Sequence, residues 1–228
     1  MFRDQKVGAI IVAAGSGERM GGIDKIFAPL GGVTVLEHTV QVFEKSPYID
    51  FITVVLRKDN LEHGMSLLRP KNISKLTKIC QGGMRRQDST LAGLNALPQC
   101  QWVLVHDGAR PLLDQSIILD GLEAAQETGA AAAAVPVTDT IKRADEDGYV
   151  KETLQRQSLW AAQTPQVFRF DLIEAGFRQE TGSVTDDVAL VEALGIRVKL
   201  YNGSYDNIKL TTPTDLVLAQ ALCQQKGN

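Results

Sequence analysis

The sequence has few cysteines and no long apolar run, and both absences narrow the class of protein. No apolar stretch approaches the ~20 residues that span a bilayer, and the N-terminus MFRDQK leads directly into an apolar strand rather than a secretory signal. Cysteine occurs only three times in 228 residues, at Cys80, Cys100 and Cys223, with no C-x-x-C pair. We therefore expect a cytoplasmic protein without a disulfide framework, a structural zinc site or a membrane partner.

An excess of positive charge is also lacking. The chain has 24 basic and 27 acidic residues, which gives a net charge of −3, and its hydrophobic fraction of 44% is ample for a core. Nothing in this balance attracts nucleic acid, so we expect no nucleic-acid partner, and any cationic site must be local. His38, His63 and His106 lack the spacing of metal ligands.

Two common phosphate-binding motifs are missing, although a glycine-rich loop is present at residues 15–22. A dinucleotide fingerprint, G-x-G-x-x-G, needs a third glycine where Met20 stands. The NTPase motif, G-x-x-x-x-G-K-[ST], needs Ser or Thr after its lysine, and Lys25 is followed by Ile26. The loop therefore belongs to neither of these classes.

What the loop does contain favours an anionic ligand. It follows an apolar run, Val7–Ala13, which predicts a strand buried on both faces. The glycines allow a ligand to approach the backbone closely, and Arg19 and Lys25 add two cations. This pattern predicts a polyphosphate site. The alternative is a strand-to-helix turn with incidental charges.

Short apolar runs alternate with segments of helical periodicity along the first part of the chain. Thr34-Val35-Leu36-Glu37 has the form of a capping box and predicts a helix to about Lys45. This rhythm predicts one α/β domain. The predicted strands are Val7–Ala13, Phe51–Leu56, Thr77–Cys80, Gln101–Val105 and Gly129–Val137, and helical spacing recurs over 61–68, 91–97 and 117–127.

The fourth predicted strand ends in the sequence His106-Asp107-Gly108-Ala109-Arg110-Pro111. In open α/β sheets the ligand crevice lies at the carboxyl ends of the strands. We therefore expect Asp107 and Arg110 to lie in a functional site. The alternative is an Asp-Gly turn followed by a surface arginine.

Beyond Val137 the strand and helix rhythm breaks. Residues 138–157 predict a long hairpin arm with an acidic turn. An isolated two-stranded ribbon is marginally stable in water, so the arm either packs against a second subunit or forms a mobile surface flap.

The C-terminal part gives further local predictions. Residues 161–166 predict an extended or turn segment, and Thr185 is a candidate N-cap for the helix that follows it. Ile196–Tyr201 and Asn207–Leu210 predict short strands, and Pro213 lies in the first turn of a terminal helix.

Taken in order, the glycine loop, HDGARP, PVTDTIK, AQTPQ, TDD and DNIKLT resemble the motifs of the 2-C-methyl-D-erythritol 4-phosphate cytidylyltransferases of the non-mevalonate isoprenoid pathway. The glycine loop alone is similar to that of a broader class, the sugar-nucleotide pyrophosphorylases. The resemblance implies a three-layer α/β fold of the nucleotide-diphospho-sugar transferase type, with a mostly parallel twisted sheet flanked by helices. It also implies a protruding β-hairpin arm that joins a homodimer, CTP as co-substrate, and Mg²⁺ held mainly by the CTP phosphates.

The resemblance also implies roles for individual residues. Arg19 and Lys25 would stabilise the transition state on the triphosphate, and Lys209 and Arg156 would place the attacking phosphate, Arg156 from the neighbouring subunit. The implied nucleotide contacts are Ala13, Ala14, Gly15, Ser16, Gly17, Gly83, Ser89 and Asp107. The implied acceptor contacts are Asp107, Arg110, Thr140, Arg156, Thr164, Thr185 and Lys209, and no metal-binding side chain is assigned.

The residue types fit direct attack of a phosphate oxygen on the α-phosphorus of CTP, because cations and hydroxyls are present and a Ser–His–Asp set is not. Two departures from the family pattern stand out: Asp24-Lys25-Ile26 replaces the frequent Pro-Lys-Gln, and Met84 replaces a frequent acidic residue. Two other functions stay open, a cytidylyltransferase for ribitol 5-phosphate and a non-catalytic nucleotide-binding module.

Overall fold

A seven-stranded sheet forms the centre of the structure, a computed structural model that describes residues 1–15, 24–179 and 182–226. In chain order the strands are β1 (Val7–Ala13), β2 (Pro29–Leu30), β3 (Val33–Thr34), β4 (Phe51–Leu56), β5 (Leu76–Gln81), β6 (Trp102–Asp107), β7 (Ala130–Pro136), β8 (Lys142–Ala144), β9 (Val150–Thr153), β10 (Trp160–Arg169) and β11 (Lys199–Asn202). The central sheet has the order β11-β7-β10-β6-β1-β4-β5.

The helices are α1 (Val35–Lys45), α2 (Leu61–Leu68), α3 (Arg86–Ala96), α4 (Gln115–Thr128), α5 (Phe170–Gln179), α6 (Val188–Glu192) and α7 (Pro213–Lys226). Single 3₁₀ turns occur at Lys58–Asn60, Arg69–Lys71 and Arg156–Ser158. Among the described residues, no helix has the length and apolar character that crossing a bilayer requires. The three cysteines are free thiols.

Side-chain alternation along the strands divides the core into two halves. In β1, Val7, Ala9 and Ile11 pack with α1 and α4 on one face of the sheet, and Ile10 packs with α3, α5 and α6 on the other. Successive side chains of a strand point to opposite faces, so a strand that is apolar throughout needs cover on both. The predicted three-layer α/β fold is confirmed.

The sheet is mostly parallel, as predicted. β1 pairs in parallel with β4 and β6, β4 with β5, and β7 with β11. Only β10, among the described strands of this sheet, runs antiparallel to its neighbours, β6 and β7. Thus β1, β4, β5 and β6 end at one edge of the sheet.

Most local predictions agree with these elements. The Thr34 side chain accepts from the Glu37 amide, and the Glu37 carboxylate accepts from the Thr34 amide, so the capping box of α1 is present. β1 and β4 have the predicted bounds, and Pro213 begins α7.

Residues 161–166, predicted as an extended or turn segment, lie within the ten-residue strand β10. The register of β10 against β7 shifts between Ala162 and Gln166, around Pro165. Proline has no amide hydrogen to donate, so it interrupts the ladder locally without ending the strand.

Of the two strands predicted near the C-terminus, one is absent and the other has shifted bounds. Asn207–Leu210 is not a strand: the Asn207 side chain donates to Thr164 O at 2.8 Å, and the Leu210 amide donates to Ala109 O at 2.8 Å. The polar groups of this segment therefore bind β10 and the loop after β6 instead of pairing along one neighbouring strand. The strand predicted over Ile196–Tyr201 begins later, at Lys199.

Thr185 does not cap α6. The N-cap is Asp187, and the first amides of the helix are satisfied from elsewhere: Gln166 Oε1 accepts from Asp187 N and Val188 N, both at 3.1 Å, and Asp186 Oδ1 accepts from Ala189 N at 3.3 Å. A glutamine from β10 replaces the local cap, and sequence spacing does not reveal such a partner.

The predicted hairpin arm is present. β8 and β9 pair only with each other among the described strands, and all their residues are exposed. Gly148 at the turn has φ +86°, a conformation that glycine adopts readily. Tyr149 and Val150 are 73% and 62% exposed, so the arm presents apolar surface to its surroundings.

Candidate active site

A cleft of about 680 Å³ opens at the carboxyl edge of β1, β4, β5 and β6. This is the edge at which the sequence placed the functional site. Eight residues of the predicted site line it: Ala13, Ala14, Gly15, Lys25, Gly83, Ser89, Asp107 and Lys209. Ser16, Gly17 and Arg19, which were also predicted, lie outside the described residues.

Asp107 is the electrostatic centre of the cleft. It is the last residue of β6 and only 6% exposed. Its Oδ2 lies 2.8 Å from Lys209 Nζ and 3.4 Å from Arg110 Nε, and its Oδ1 lies 3.3 Å from Arg86 Nη2. Burial acts to raise the pKa of Asp107, but the three cations outweigh burial and hold that pKa well below its ordinary range. The carboxylate therefore stays ionised and offsets positive charge that would otherwise be self-repelling.

Arg86, which was not predicted, connects two buried carboxylates. Besides Asp107, it binds Asp187 Oδ2 through Nη1 at 2.5 Å, and Asp187 is fully buried. Burial acts to lower the pKa of Arg86, but Asp187 and Asp107 outweigh it and raise that pKa. The signal in the sequence is the Arg85-Arg86 pair, which follows Met84 and the two glycines after β5. Its partners are distant in sequence, so spacing alone did not reveal them.

His106 and Thr164 form a chain of buried hydrogen bonds that ends at the backbone amide of Asp107. His106 Nε2 lies 3.1 Å from Arg110 O, which can only accept, so Nε2 carries the proton. Burial lowers the pKa of His106 to about 4, and the ring is therefore neutral at pH 7 with Nδ1 as an acceptor.

The Thr164 hydroxyl completes this chain of hydrogen bonds. It lies 3.1 Å from His106 Nδ1, to which it donates, and it accepts from the Asp107 amide at 3.0 Å. The backbone at Asp107 is thus fixed by a buried, fully paired relay. Thr164, a predicted acceptor contact, is 4% exposed and lies beneath the cleft, outside its lining.

The loop after β5 contributes Gly83, Met84 and Arg85 to the lining of the cleft. Gly83 N donates to Ser89 Oγ at 3.2 Å. A Cβ at Gly82 would lie 2.6 Å from both Ala14 Cβ and Ser89 Oγ, so only glycine allows this loop to approach the end of β1 so closely. Met84 lines the cleft with a fully exposed side chain, so polar contacts at this position come from backbone groups.

The remaining predicted residues lie beside the cleft or away from it. Arg110 binds Asp107 and donates through Nη1 to Asn207 O at 2.7 Å. Thr185 is exposed, two residues before Asp187. Thr140 and Arg156 are exposed on the arm, and neither lines the described cleft of its own chain.

The described residues include no cluster of three or more His, Cys, Asp or Glu side chains that could hold a metal ion. Asp107 is the one carboxylate among the described lining residues, whereas Lys25, Arg57, Arg85, Arg86 and Lys209 supply positive charge. Such a lining suits a polyphosphate that brings its own divalent cation, because Mg²⁺ commonly keeps water and phosphate ligands.

A cation-lined cleft at the carboxyl edge of a mostly parallel sheet, with Gly15 and Gly83 among its described lining residues, indicates the class of this protein. It is an α/β nucleotidyltransferase.

Comparison with known proteins gives the family. A family model described as IspD: 2-C-methyl-D-erythritol 4-phosphate cytidylyltransferase matches residues 7–225. The 2-C-methyl-D-erythritol 4-phosphate cytidylyltransferase of Dehalococcoides mccartyi is 52% identical over 225 residues, 99% of each chain. That of Clostridium novyi is 44% identical over 95% of this chain and 96% of its own. A 4-diphosphocytidyl-2C-methyl-D-erythritol synthase from Anaerococcus prevotii superposes with a TM-score of 0.85 at 37% identity, covering 96% of both chains.

The chain therefore belongs to the 2-C-methyl-D-erythritol 4-phosphate cytidylyltransferase family. It is a cytidylyltransferase that uses CTP and 2-C-methyl-D-erythritol 4-phosphate. The acceptor named by the family model and by both relatives is methylerythritol phosphate, which favours it over ribitol 5-phosphate. Membership in an enzyme family likewise favours catalysis over a silent binding module.

Proposed function

We propose that the cleft holds CTP with its triphosphate along Lys25 and its base against the loop of Gly83 and Ser89. The observation that carries this assignment is that Lys25, Arg86 and Lys209 line one cleft, in which Arg86 and Lys209 both pair with the buried carboxylate of Asp107. Like charges must be neutralised when one phosphate approaches another, and preorganised cations do this without reorganisation. Arg19 completes this clamp in the proposal, together with the loop residues Ala13 to Gly17.

The reaction in this proposal is a direct displacement. An oxygen of the acceptor phosphate forms a bond to the α-phosphorus of CTP, the bond to the bridging oxygen of pyrophosphate breaks, and the electron pair leaves with pyrophosphate. A phosphate dianion is already a nucleophile at neutral pH, so no covalent enzyme intermediate is required. In the proposal Lys209, which is paired with Asp107 at 2.8 Å, helps to position the acceptor phosphate. Arg110, Thr164 and Thr185 belong to the acceptor side of this proposal.

Mg²⁺ is part of the proposal as an ion carried mainly by the CTP phosphates. When bound, it would neutralise phosphate charge. The carboxylate of Asp107 is already paired with Lys209, Arg110 and Arg86, so the proposal leaves the ion to the phosphates and to water.

The proposal also includes a homodimer through the arm, residues 138–157, and a single catalytic domain in the cytoplasm. Support for the dimer comes from β8 and β9, which expose all their residues, and from Trp160, which is 39% exposed at the base of the arm. Because Thr140 and Arg156 lie away from the cleft of their own chain, the proposal assigns them to the acceptor site of the partner.

Steady-state kinetics of Lys25→Ala tests the clamp. We expect kcat to fall on the order of 10²–10³-fold, a typical cost of losing one preorganised charge contact, with a much smaller change in CTP affinity. Lys58→Ala is the matched control because Lys58 is exposed and lies outside the cleft lining. An unchanged kcat in Lys25→Ala contradicts the proposed role.

A further inference from the structure

Asp24 ties the end of the glycine loop to the segment that follows β4. Its Oδ2 accepts from Arg57 Nη2 at 2.8 Å and from Asn60 Nδ2 at 2.6 Å. Its Oδ1 accepts from the Ile26 amide at 3.4 Å.

Both partners of Asp24 lie in the ordered segment that directly follows β4. Arg57 directly follows Leu56, the fully buried last residue of β4, and Asn60 ends the 3₁₀ turn Lys58–Asn60, where its amide donates to Arg57 O at 3.0 Å. The Arg57 and Asp24 side chains are 34% and 22% exposed, so water screens this pair only in part. The Asp24 carboxylate is thus bound by charge-assisted hydrogen bonds to residues that directly follow a central strand.

The backbone of Asp24 also begins the turn that carries Lys25. The Phe27 amide donates to Asp24 O at 3.0 Å, and the Leu36 amide donates to Ile26 O at 2.8 Å. Within this turn Ile26 is 2% exposed and packs into the core, and Lys25 lines the cleft. Anchoring Asp24 therefore fixes the backbone from which the Lys25 side chain starts.

We propose that Asp24, through Arg57 and Asn60, is a positioning residue for Lys25: it sets the place at which the lysine ammonium meets the triphosphate. The inference rests on the proposed role of Lys25 in transition-state stabilisation. Arg57 lines the cleft, and its pairing with Asp24 makes it a tether with part of its charge already neutralised.

A double-mutant cycle tests this inference. Asp24→Asn keeps the size of the side chain but removes its charge. We expect it to lower kcat by roughly 10- to 100-fold, as displacement of a reacting group by about an ångström does, with KM for CTP nearly unchanged. In a Lys25→Ala background the same change should lower kcat no further, because its effect passes through the lysine.

Two further variants keep the test independent of folding. Asn60→Ala removes one hydrogen bond to Asp24 and leaves every charge in place, and its smaller loss of kcat should also vanish in the Lys25→Ala background. Asp59→Asn is the matched control, since Asp59 is an exposed carboxylate in the same 3₁₀ turn, and it should leave kcat unchanged.

The outcomes separate the two proposals. A wild-type kcat in Lys25→Ala defeats the role of Lys25, and the inference about Asp24 falls with it. If Lys25→Ala lowers kcat as expected, two results overturn the positioning role of Asp24 alone. One is that Asp24→Asn leaves kcat unchanged. The other is that it lowers kcat by the same factor in the wild-type and Lys25→Ala backgrounds.

Discussion

Lys209 Nζ lies 2.8 Å from Asp107 Oδ2, which joins the segment before α7 to the carboxyl end of β6. The segment around Lys209 is anchored on both sides, by the Leu210 amide on Ala109 O and by the Asn207 side chain on Thr164 O, each at 2.8 Å. The lysine is therefore placed before any substrate enters. Contacts within the protein, and not contacts with a ligand, hold these charged side chains in place. Electrostatic preorganisation requires such an arrangement.

Asp107→Asn should destabilise the protein, because it leaves Arg86, Arg110 and Lys209 around a neutral side chain. Removing one partner of a buried ionic network typically costs about 3–5 kcal/mol. The free energy of unfolding in urea at pH 7.5 measures this loss. The exposed carboxylate of Asp147, at the turn of the arm, supplies the control Asp147→Asn, for which we expect no change.

The pH dependence of the Asp107 effect has a definite sign. The pKa of Asp107 is lowered in the folded protein. The stabilisation that its ionised carboxylate provides is therefore fully present above the ordinary pKa of 3.8, and it is lost as the pH falls from there toward the folded pKa. The difference between wild type and Asp107→Asn should persist from pH 8 to pH 5 and shrink below about pH 4. A difference below 1 kcal/mol at pH 7.5 would show that the three cations do not need this carboxylate.

His106 should make the wild-type protein less stable in mild acid. Its pKa is about 4 when folded against an ordinary 6.5, so the unfolded chain takes up a proton in a range where the folded protein does not. The stability linked to neutral His106 is fully present above pH 6.5 and is lost as the pH falls toward 4. Between pH 7.5 and pH 5 the free energy of unfolding should fall by about 2 kcal/mol from this cause.

Unfolding free energies at pH 7.5 and pH 5 measure the His106 effect. His106→Asn should be less stable at pH 7.5 but should lose less stability on acidification than wild type. His63→Gln is the control, because His63 is exposed. If wild type and His106→Asn lose the same free energy between the two pH values, His106 is not the group responsible.

Arg156 is predicted to act in the active site of the partner subunit. In a dimer of one Arg156→Ala chain and one Lys25→Ala chain, one of the two sites would then contain both native residues. After equimolar subunit exchange of two inactive proteins, activity should return to about one quarter of the wild-type value, since half of the dimers are mixed and one site in each is intact. Pyrophosphate release before and after mixing measures this. No return of activity, with exchange verified by mass, would place Arg156 in its own chain's site or outside catalysis.

The sequence predicted the elements whose signals are local. The capping box at Thr34, the apolar runs of β1 and β4, and the proline of α7 each act within a few residues, and each element formed as expected. The edge of the sheet that carries the cleft followed from a general property of parallel strands, which is why Asp107 could be placed there, whereas Gly83 was implied only by the family resemblance.

Three features were predicted wrongly or missed for the same reason: the residue that each one contacts in the folded protein is distant in sequence. Thr185 looked like a cap, but Gln166 satisfies the amides at the start of α6. Asn207–Leu210 looked like a strand, but its polar groups bind Thr164 and Ala109. Arg86 was missed because Asp187 and Asp107 reach it only in the folded protein.

Pyrophosphate release from each of the four ribonucleoside triphosphates, with 2-C-methyl-D-erythritol 4-phosphate or ribitol 5-phosphate as acceptor and Mg²⁺ present, tests the central claim most directly. That claim is that the cleft around Asp107 transfers a cytidylyl group to the methylerythritol phosphate. We expect rapid release only with CTP and 2-C-methyl-D-erythritol 4-phosphate, and its loss on chelation of Mg²⁺. Equal or faster release with ribitol 5-phosphate, or no release with any pair, would contradict it.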